Sequence, residues 1–335
     1  MATSEASNKS TYAVDMVKKF SQHADGKTFL ITGPSEDMTG PSEEGIGAEI
    51  ALSIASSSNP SMIILAGRTK AKGMSVKLLI RDMNPKINVV WIPLNLLDNE
   101  SVRAAADAIK RLGSKINFLI NNAEVMAVRD YTTSNQGVES QFAANYLGHF
   151  LLTNLLMDRI IAAREEGAII VNVGSLGYEL GEVKLEDINF EEGKTYNAWR
   201  AFGQSKTAML LWNTALARRL TDKGVATLVV HPGTTLETKL LGNSSVDQEL
   251  LAEAYHFAIE RNNGKPLPPQ NMVLIQEAAG AVILAALDPA LRASSPAFIV
   301  NGKIYTETRS YATSEQNAEK LWKLSEELVG ESFKI

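Results

Sequence analysis

The chain alternates short apolar runs with longer stretches in which apolar residues recur at helical spacing. The apolar runs predict buried strands, and the intervening stretches predict helices. The predicted strands are residues 28–32, 62–66, 89–93, 118–120, 168–173, 226–230 and 297–300. The predicted helices are residues 45–55, 71–83, 99–112, 135–163, 199–221 and 273–287. This alternation is typical of an α/β fold with helices on both faces of a parallel sheet, and seven strands predict a doubly wound, Rossmann-type domain.

No linker rich in Pro, Gly or Ser divides residues 26–335, so we expect them to form one domain. Residues 1–25 are expected to precede this domain. Within them, residues 1–10 are expected to be disordered, and residues 11–22 are expected to form a short helix. A second amphipathic helix is predicted near the C-terminus, over residues 317–329.

An irregular insertion over residues 234–272 precedes the last long helix. Its leucines, at positions 236, 240, 241 and 250, suggest that the insertion covers the site of an apolar ligand.

Composition excludes several classes of function. The net charge of −5 provides no basic surface for nucleic acid, and the absence of cysteine excludes disulfides and thiolate metal sites. The four histidines are scattered, so no metal site is expected. The longest apolar run, residues 278–287, is much shorter than the roughly 20 residues of a membrane span. The N-terminus lacks the apolar segment of a secretory signal, so we expect a soluble, cytoplasmic protein.

A glycine-containing loop follows the first predicted strand. The strand runs into Gly33, and the next helix opens with Gly45-Ile46-Gly47. Glycines at this position let the backbone approach a pyrophosphate, and the helix N-terminus supplies N–H donors. Residues 34–44 lengthen the loop, because Thr32-Gly-Pro-Ser-Glu36 recurs as Thr39-Gly-Pro-Ser-Glu43 at a seven-residue offset.

Further motifs follow the later strands in a fixed order. They are Asn121-Asn122-Ala123-Glu124, Asn145 within a predicted helix, Ser175 after the fifth strand, Phe202 four residues before Lys206, and His231-Pro232-Gly233 with Thr238 downstream. Together with the glycine loop, these motifs resemble the short-chain dehydrogenase/reductase family over roughly residues 26–330. The segment from Asn145 to Leu156 and the C-terminal Leu-Trp-Lys-Leu-Ser-Glu-Glu-Leu-Val resemble the retinol-dehydrogenase-like branch and its fungal members.

The resemblance implies a bound nicotinamide dinucleotide. Arg68, after the second strand, occupies the position of the arginine that contacts the 2′-phosphate in NADP-preferring members, so NADP(H) is the expected cofactor. The other residues that the resemblance places at the cofactor are Gly33, Gly45, Ile46, Gly47, Asn95, Leu96, Asn122, Ala123, Lys206, Pro232, Gly233 and Thr238.

The resemblance also implies a catalytic set with one replacement. Ser175 would bond the substrate oxygen, Lys206 would hold the nicotinamide ribose, and Asn145 would belong to a water relay. Phe202 stands where the family has its catalytic tyrosine, so the proton donor is missing. Glu124 stands where the family has glycine, either as a new acid/base group or as a side chain that crowds the nucleotide.

Ser175 and Phe202 are also expected to contact the substrate. Tyr178 and Tyr196 carry the phenols that are nearest in sequence to this catalytic set. Each could serve as a packing group, a substrate contact or a recruited proton donor.

Three functions remain open at this stage. The first is an NADP(H)-dependent oxidoreductase that acts on a carbonyl/alcohol pair of a bulky apolar metabolite, with its activity impaired, or its substrate trapped, by Phe202. The fungal resemblance suggests secondary metabolism and biosynthesis as its setting. The second is a repurposed non-redox enzyme, such as a cyclase, isomerase or dehydratase, that uses Glu124 or Ser175. The third is a non-catalytic dinucleotide-binding protein. The resemblance further implies a homodimer or homotetramer formed through the helices at residues 135–163 and 199–221.

Overall fold

A single, mostly parallel sheet organises the protein. The computed structural model describes residues 11–35, 45–235, 237, 246–265 and 272–335. Within these ranges the strands are β1 Thr28–Thr32, β2 Met62–Gly67, β3 Asn88–Pro93, β4 Phe118–Asn121, β5 Ile169–Val173, β6 Ala226–His231, β7 Phe298–Val300 and β8 Lys303–Ile304. Their order is β3-β2-β1-β4-β5-β6-β7-β8, and only β8 is antiparallel to its neighbour.

The seven predicted parallel strands are confirmed, and the prediction missed β8. This strand is two residues long and both of its residues are exposed. It therefore lacks the apolar run on which the prediction of a strand depends. The central strands have that run: every residue of β1, β4 and β5 is buried.

Helices cover both faces of the sheet. Their bounds are α1 Ala13–Lys19, α2 Ser21–Ala24, α3 Ile46–Ser57, α4 Lys70–Met83, α5 Asn99–Arg111, α6 Ser140–Phe142, α7 Gly148–Leu155, α8 Met157–Ile161, α9 Ala198–Leu220, α10 Gln248–Arg261, α11 Ile275–Leu287, α12 Pro289–Arg292, α13 Ser310–Thr313 and α14 Glu315–Val329. A π-helical turn joins α6 to α7 over Ala143–Leu147, and short 3₁₀ turns lie at Arg164–Glu166 and Leu176–Leu180. None of the helices within the described ranges is long and apolar enough to cross a membrane.

The helix predicted over residues 135–163 begins later and is interrupted. The buried carboxylate of Glu139 accepts the N–H groups of Gln141 and Phe142, both at 2.8 Å, and this cap fixes the start of α6. At Leu156 the backbone leaves helical geometry, with φ −99° and ψ 5°, which separates α7 from α8. Apolar spacing could not reveal these breaks, because the buried pattern continues through them.

The C-terminal helix α14 packs across the same face as α7 and α9. The ring of Trp322 lies 4.9 Å from that of Phe150, centroid to centroid, and the Arg219 guanidinium lies 3.9 Å from the Trp322 ring. The Tyr146 hydroxyl is 2.5 Å from Ser325 Oγ. Helix α14 therefore packs on α7 and α9, two of the helices through which a family-type dimer was expected to form.

Residues 248–261 of the predicted insertion form α10. Leu250 at its first turn is buried, whereas the predicted ligand-covering leucines at 236, 240 and 241 lie outside the described residues. So do Thr238, the tail over residues 1–10 and most of the repeated loop, residues 36–44.

Candidate active site and cofactor cleft

Three glycines allow β1, β4 and α3 to approach closely. Gly33 has φ +70°, and a β-carbon there would lie 2.7 Å from the Ala123 Cα. A β-carbon on Gly47 would lie 2.5 Å from Asn122 Nδ2. Gly45 precedes the first residue of α3, so the N–H groups of that helix end face the turn after β1. These contacts form the type of turn that brings a helix N-terminus to a phosphate.

The Thr32 hydroxyl joins the ends of β1 and β4, which is a role that the sequence did not predict. Its Oγ1 accepts the backbone N–H groups of Asn122 at 2.9 Å and Ala123 at 3.0 Å. It also lies 2.9 Å from Nε2 of buried His149, whose Nδ1 lies 3.0 Å from the Asn145 carbonyl oxygen. Burial lowers the pKa of His149 to about 4, so the ring is neutral at pH 7. A neutral ring that donates from Nδ1 to the carbonyl must accept the Thr32 proton at Nε2.

A cavity of about 400 Å³ extends along the carboxyl ends of β2, β1 and β4. It contains eight of the residues expected at the cofactor, namely Gly33, Gly45, Ile46, Arg68, Asn95, Leu96, Asn122 and Ala123. Lys72 and Trp91 also line it, and Glu124 lies in its wall on the β4 side. Gly73 is the reason that the Trp91 indole fits against α4, because a β-carbon at Gly73 would lie 1.9 Å from the ring.

The Lys206 ammonium is buried beside the cavity and held by two acceptors. It donates to Glu124 Oε2 at 2.5 Å and to the Val173 carbonyl at 3.0 Å. The Lys206 side chain is 0% exposed and that of Glu124 is 17% exposed, so the carboxylate is the member of the pair that a ligand can reach. The fold thus joins two site residues that are 82 positions apart in the chain.

Helix α9 presents Phe202 and Lys206 on one face, as their spacing predicted. The side chain of Asn197 caps the helix by accepting the N–H groups of Trp199 at 3.1 Å and Arg200 at 2.9 Å. The Lys206 ammonium lies 5.5 Å from the centroid of the buried Phe202 ring. A cation at this distance interacts with the ring face, which provides no proton for chemistry.

Ser175 lies next to the Phe202 ring at Gly177. Ser175 Oγ accepts the Gly177 N–H at 3.0 Å. A β-carbon at Gly177 would lie 3.1 Å from that oxygen and 2.7 Å from Phe202 Cε1. Glycine at 177 therefore permits the proximity of the Ser175 hydroxyl and the Phe202 ring.

Asn145 fixes the segment after Glu124 rather than a site side chain. Its Oδ1 accepts the Val125 N–H at 2.8 Å, and its Nδ2 donates to the Val125 carbonyl at 2.9 Å and to Ser205 Oγ at 3.0 Å. These bonds connect the π-helical turn, the β4 loop and α9, so Asn145 helps to hold Glu124 near Lys206.

The phenols of Tyr178 and Tyr196 are engaged elsewhere. The Tyr178 hydroxyl accepts the Arg309 N–H at 3.1 Å and lies 3.3 Å from Glu179 Oε1. The Tyr196 hydroxyl donates to the Val128 carbonyl at 2.6 Å and accepts from Gln141 at 3.0 Å. Burial raises the pKa of both phenols. The structure therefore pairs neither hydroxyl with Lys206 or Ser175.

The end of β6 provides the last predicted motif. Gly233 has φ +97°, and a β-carbon there would lie 2.6 Å from Val273 Cγ2. His231 is buried, and burial lowers its pKa to about 4. Within the described ranges, no group of three or more His, Asp or Glu residues could hold a metal ion.

Comparisons with known proteins agree with this arrangement. Residues 38–249 match the family model described as short chain dehydrogenase. The chain is 31% identical to the short-chain dehydrogenase TIC 32 B, chloroplastic, of Brassica napus over 98% of this chain and 97% of that protein. It is 30% identical to retinol dehydrogenase 12 of Mus musculus, over 91% and 87% of the two chains.

Solved structures show the same fold. A structure of an uncharacterised protein from Mycobacterium paratuberculosis is 29% identical and superposes with a TM-score of 0.66 over 93% of this chain and 96% of that one. The NADPH-bound carbonyl reductase from chicken fatty liver is 20% identical, with a TM-score of 0.58 over 84% and 99% of the two chains. The extent of these matches, the strand order and the cleft at the sheet edge together show that the chain belongs to the short-chain dehydrogenase/reductase family, with retinol dehydrogenases among its relatives.

Proposed function

We propose that the protein is an NADP(H)-dependent oxidoreductase acting on the carbonyl/alcohol pair of a bulky apolar metabolite. The observation that carries the proposal is the cleft that begins at Arg68 and Lys72 and reaches Glu124, the partner of buried Lys206. A basic residue that follows β2 suits a 2′-phosphate, and a carboxylate that a ligand can reach can accept the hydroxyls of a ribose.

The strand order indicates how the cofactor would lie. The order β3-β2-β1-β4-β5-β6 places the switch in chain direction between β1 and β4. A dinucleotide in such a sheet crosses the switch point with its pyrophosphate at the first helix N-terminus. The adenosine half would then lie toward β2 and Arg68, and the nicotinamide half toward β4 and β5, where Glu124 and Lys206 meet. When bound, the nicotinamide supplies or accepts the hydride of the reaction.

The chain's own residues would orient the substrate and handle the proton. Ser175 Oγ is half-buried and could donate to a substrate oxygen beside the Phe202 ring. Phe202 cannot transfer a proton, and loss of a general acid typically reduces rates by ~10²–10⁴-fold. Glu124 is the described carboxylate that contacts Lys206, so it is the candidate acid/base group of the present site.

An apolar cluster supports an apolar substrate. Phe202 and Trp199 pack with Leu180, and α10 adds Leu250 and Ala258 to the same cluster. The Trp199 indole N–H donates to the Leu250 carbonyl at 2.6 Å, which attaches α10 to the start of α9. We infer that α10 covers the Phe202 side of the site.

A non-redox reaction is the second candidate, and the Glu124–Lys206 contact favours it. A carboxylate held by an ammonium can exchange protons with a ligand without any hydride transfer, as a cyclase, isomerase or dehydratase requires. A non-catalytic dinucleotide-binding role is a third candidate, and it predicts cofactor binding without turnover even in a Phe202→Tyr variant.

The deciding experiment is a titration of the protein and its Phe202→Tyr variant with NADPH, followed by nicotinamide fluorescence. Saturable binding by both, with carbonyl turnover gained by the variant, supports the proposed oxidoreductase. Conversion of a ligand by the parent protein without oxidation or reduction of the cofactor would favour the second candidate instead. If neither protein binds NADPH, the proposed function is excluded.

The homo-oligomer implied by the family resemblance would need another surface. Trp322 and Ser325 of α14 occupy the face formed by α7 and α9. Self-association through that face would require α14 to leave it, so we propose that any dimer forms elsewhere.

A further inference from the structure

Two opposite charges lie at the carboxyl end of the sheet between β4 and β5. The Lys206 ammonium and the Glu124 carboxylate are 2.5 Å apart, and the lysine side chain is fully buried. Burial strengthens the electrostatic effect of both groups on any ligand placed beside them, because little water screens them. A ligand bound beside this pair would therefore interact strongly with each of the two charges.

The other ionisable groups around Lys206 add little charge. His149 faces Lys206 from the helix after β4 and His231 faces it from β6, and burial lowers the pKa of each to about 4. Both rings are therefore neutral at pH 7. Glu237, on the segment after β6, accepts the Ile275 N–H at 2.6 Å and is thus held at the start of α11. Among the residues that the structure describes, the local charge is consequently set by Lys206 and Glu124.

We propose that Glu124 raises the affinity of this site for the oxidised form of the nicotinamide cofactor relative to the reduced form. The inference rests on the proposed function, which places the nicotinamide half beside β4 and β5. The oxidised nicotinamide ring carries a positive charge and the reduced ring carries none. Lys206 alone would repel the oxidised ring, whereas the Glu124 carboxylate offsets that repulsion. Glycine at position 124, the residue of the family motif, would leave the lysine charge unbalanced.

Coulomb's law gives the size of the effect. For an illustrative separation of about 8 Å between the removed unit charge and the ring, the relative affinity for the two forms changes by about 2- to 30-fold, for effective dielectric constants between about 80 and 20. The change concerns the ratio of the two affinities. Steric effects of a substitution act on both forms nearly equally and largely cancel in that ratio.

The test measures dissociation constants of NADP+ and NADPH for the full-length parent protein, Glu124→Gln and Glu124→Gly. Nicotinamide fluorescence reports NADPH, and competition against NADPH reports NADP+. The glutamine side chain keeps an oxygen that can accept from Lys206, so Glu124→Gln changes the charge with little change in shape. We expect Kd(NADP+)/Kd(NADPH) to rise by about 2- to 30-fold in both variants.

Two controls test the sign and the location of the effect. Glu165→Gln removes a carboxylate whose side chain is 87% exposed. Glu165 precedes β5 and therefore lies near the amino-terminal ends of the strands, away from Glu124. We expect this substitution to change the ratio by less than about twofold. Lys206→Met removes the positive charge and should shift the ratio in the opposite direction. Thermal unfolding of each variant verifies that it is folded.

The outcomes separate this inference from the function on which it rests. If the parent binds both forms and the ratio is unchanged in Glu124→Gln and Glu124→Gly, Glu124 does not raise the relative affinity for the oxidised cofactor, although the proposed function stands. If the parent binds neither form, the proposed function is wrong and this inference is wrong with it.

Discussion

The Lys206 ammonium donates a hydrogen bond to the Glu124 carboxylate at 2.5 Å. Lys206 lies on the same face of α9 as Phe202. In the family pattern, a tyrosine hydroxyl and a glycine would stand at the positions of Phe202 and Glu124. We therefore expect the two positions to be coupled, because Phe202 provides no phenol and Glu124 neutralises the cation that would lower the pKa of a tyrosine hydroxyl at position 202. This coupling has measurable consequences.

Restoring the tyrosine should restore reduction only partly while Glu124 is present. We expect Phe202→Tyr to increase the single-turnover rate of carbonyl reduction, and Phe202→Tyr/Glu124→Gly to approach the full ~10²–10⁴-fold contribution of a general acid. Glu124→Gly alone should give no gain. Single-turnover NADPH oxidation on a panel of apolar carbonyl compounds provides the measurement, and strictly multiplicative effects of the two changes would contradict the coupling.

Arg68 should discriminate between NADPH and NADH. Arg68→Ala is expected to weaken NADPH binding about 10- to 100-fold, the effect of losing a charge-assisted hydrogen bond, and to leave NADH binding nearly unchanged. Arg81→Ala is a matched control, since Arg81 is an exposed arginine near the end of α4. Fluorescence titrations with both nucleotides measure the effect, and equal losses for NADPH and NADH would show that Arg68 does not contact the 2′-phosphate.

The Thr32 hydroxyl should contribute to stability as well as to the cleft. Thr32→Val keeps the shape but leaves the N–H groups of Asn122 and Ala123 without their acceptor. We expect the free energy of unfolding to fall by about 2–5 kcal/mol, because each buried unsatisfied donor costs about 1–3 kcal/mol. Thr32→Ser retains the oxygen and should cost less than half as much. Urea unfolding of the three proteins measures this, and similar losses in both variants would assign the effect to packing.

Glu139 should make the stability depend on pH. Burial raises its pKa from 4.5 to about 7 in the folded protein. The folded state therefore binds more protons than the unfolded state between these values, and its free energy of unfolding falls as pH rises from about 4.5 to about 7, by about 3 kcal/mol in total.

His149 and His231 act in the opposite direction, because their lowered pKa values make the folded state bind fewer protons between about pH 4 and 6.5. Comparison with Glu139→Gln isolates the carboxyl group, since the glutamine amide oxygen can still cap α6 and does not titrate. Relative to that variant, the parent should lose stability between about pH 4.5 and about pH 7 in urea titrations. Parallel pH profiles for the two proteins would refute this assignment.

The C-terminal helix should be part of the core rather than an appendage. Trp322 is 2% exposed and contacts Phe150 and Arg219, so Trp322→Ala is expected to lower the free energy of unfolding by about 3–5 kcal/mol. Leu78→Ala, at a side chain that is half exposed on α4, should cost less than about 1 kcal/mol. Thermal unfolding compares the two, and a marginal effect at Trp322 would mean that α14 is only loosely attached.

The sequence by itself determined the seven parallel strands, most helices and eight of the residues that line the cleft. Buried strands need unbroken apolar runs, and helices need apolar residues at helical spacing, so both patterns are local and readable. The spacing of Phe202 and Lys206 likewise placed both on one face of α9. The packing of α14 on α7 and α9 was not predicted, because packing between helices distant in sequence leaves no local signal.

Only the tertiary structure decided which polar groups meet. Glu124 and Lys206 are separated by 82 positions, and Thr32 and His149 by 117, so no spacing rule connects them. The hydroxyls of Tyr178 and Tyr196 were candidates by proximity in sequence, and the fold directs them to Arg309 and Val128 instead. The physical reason is that a buried polar atom must find a partner wherever the packed backbone places one, and that place is fixed by the whole sheet rather than by neighbouring residues.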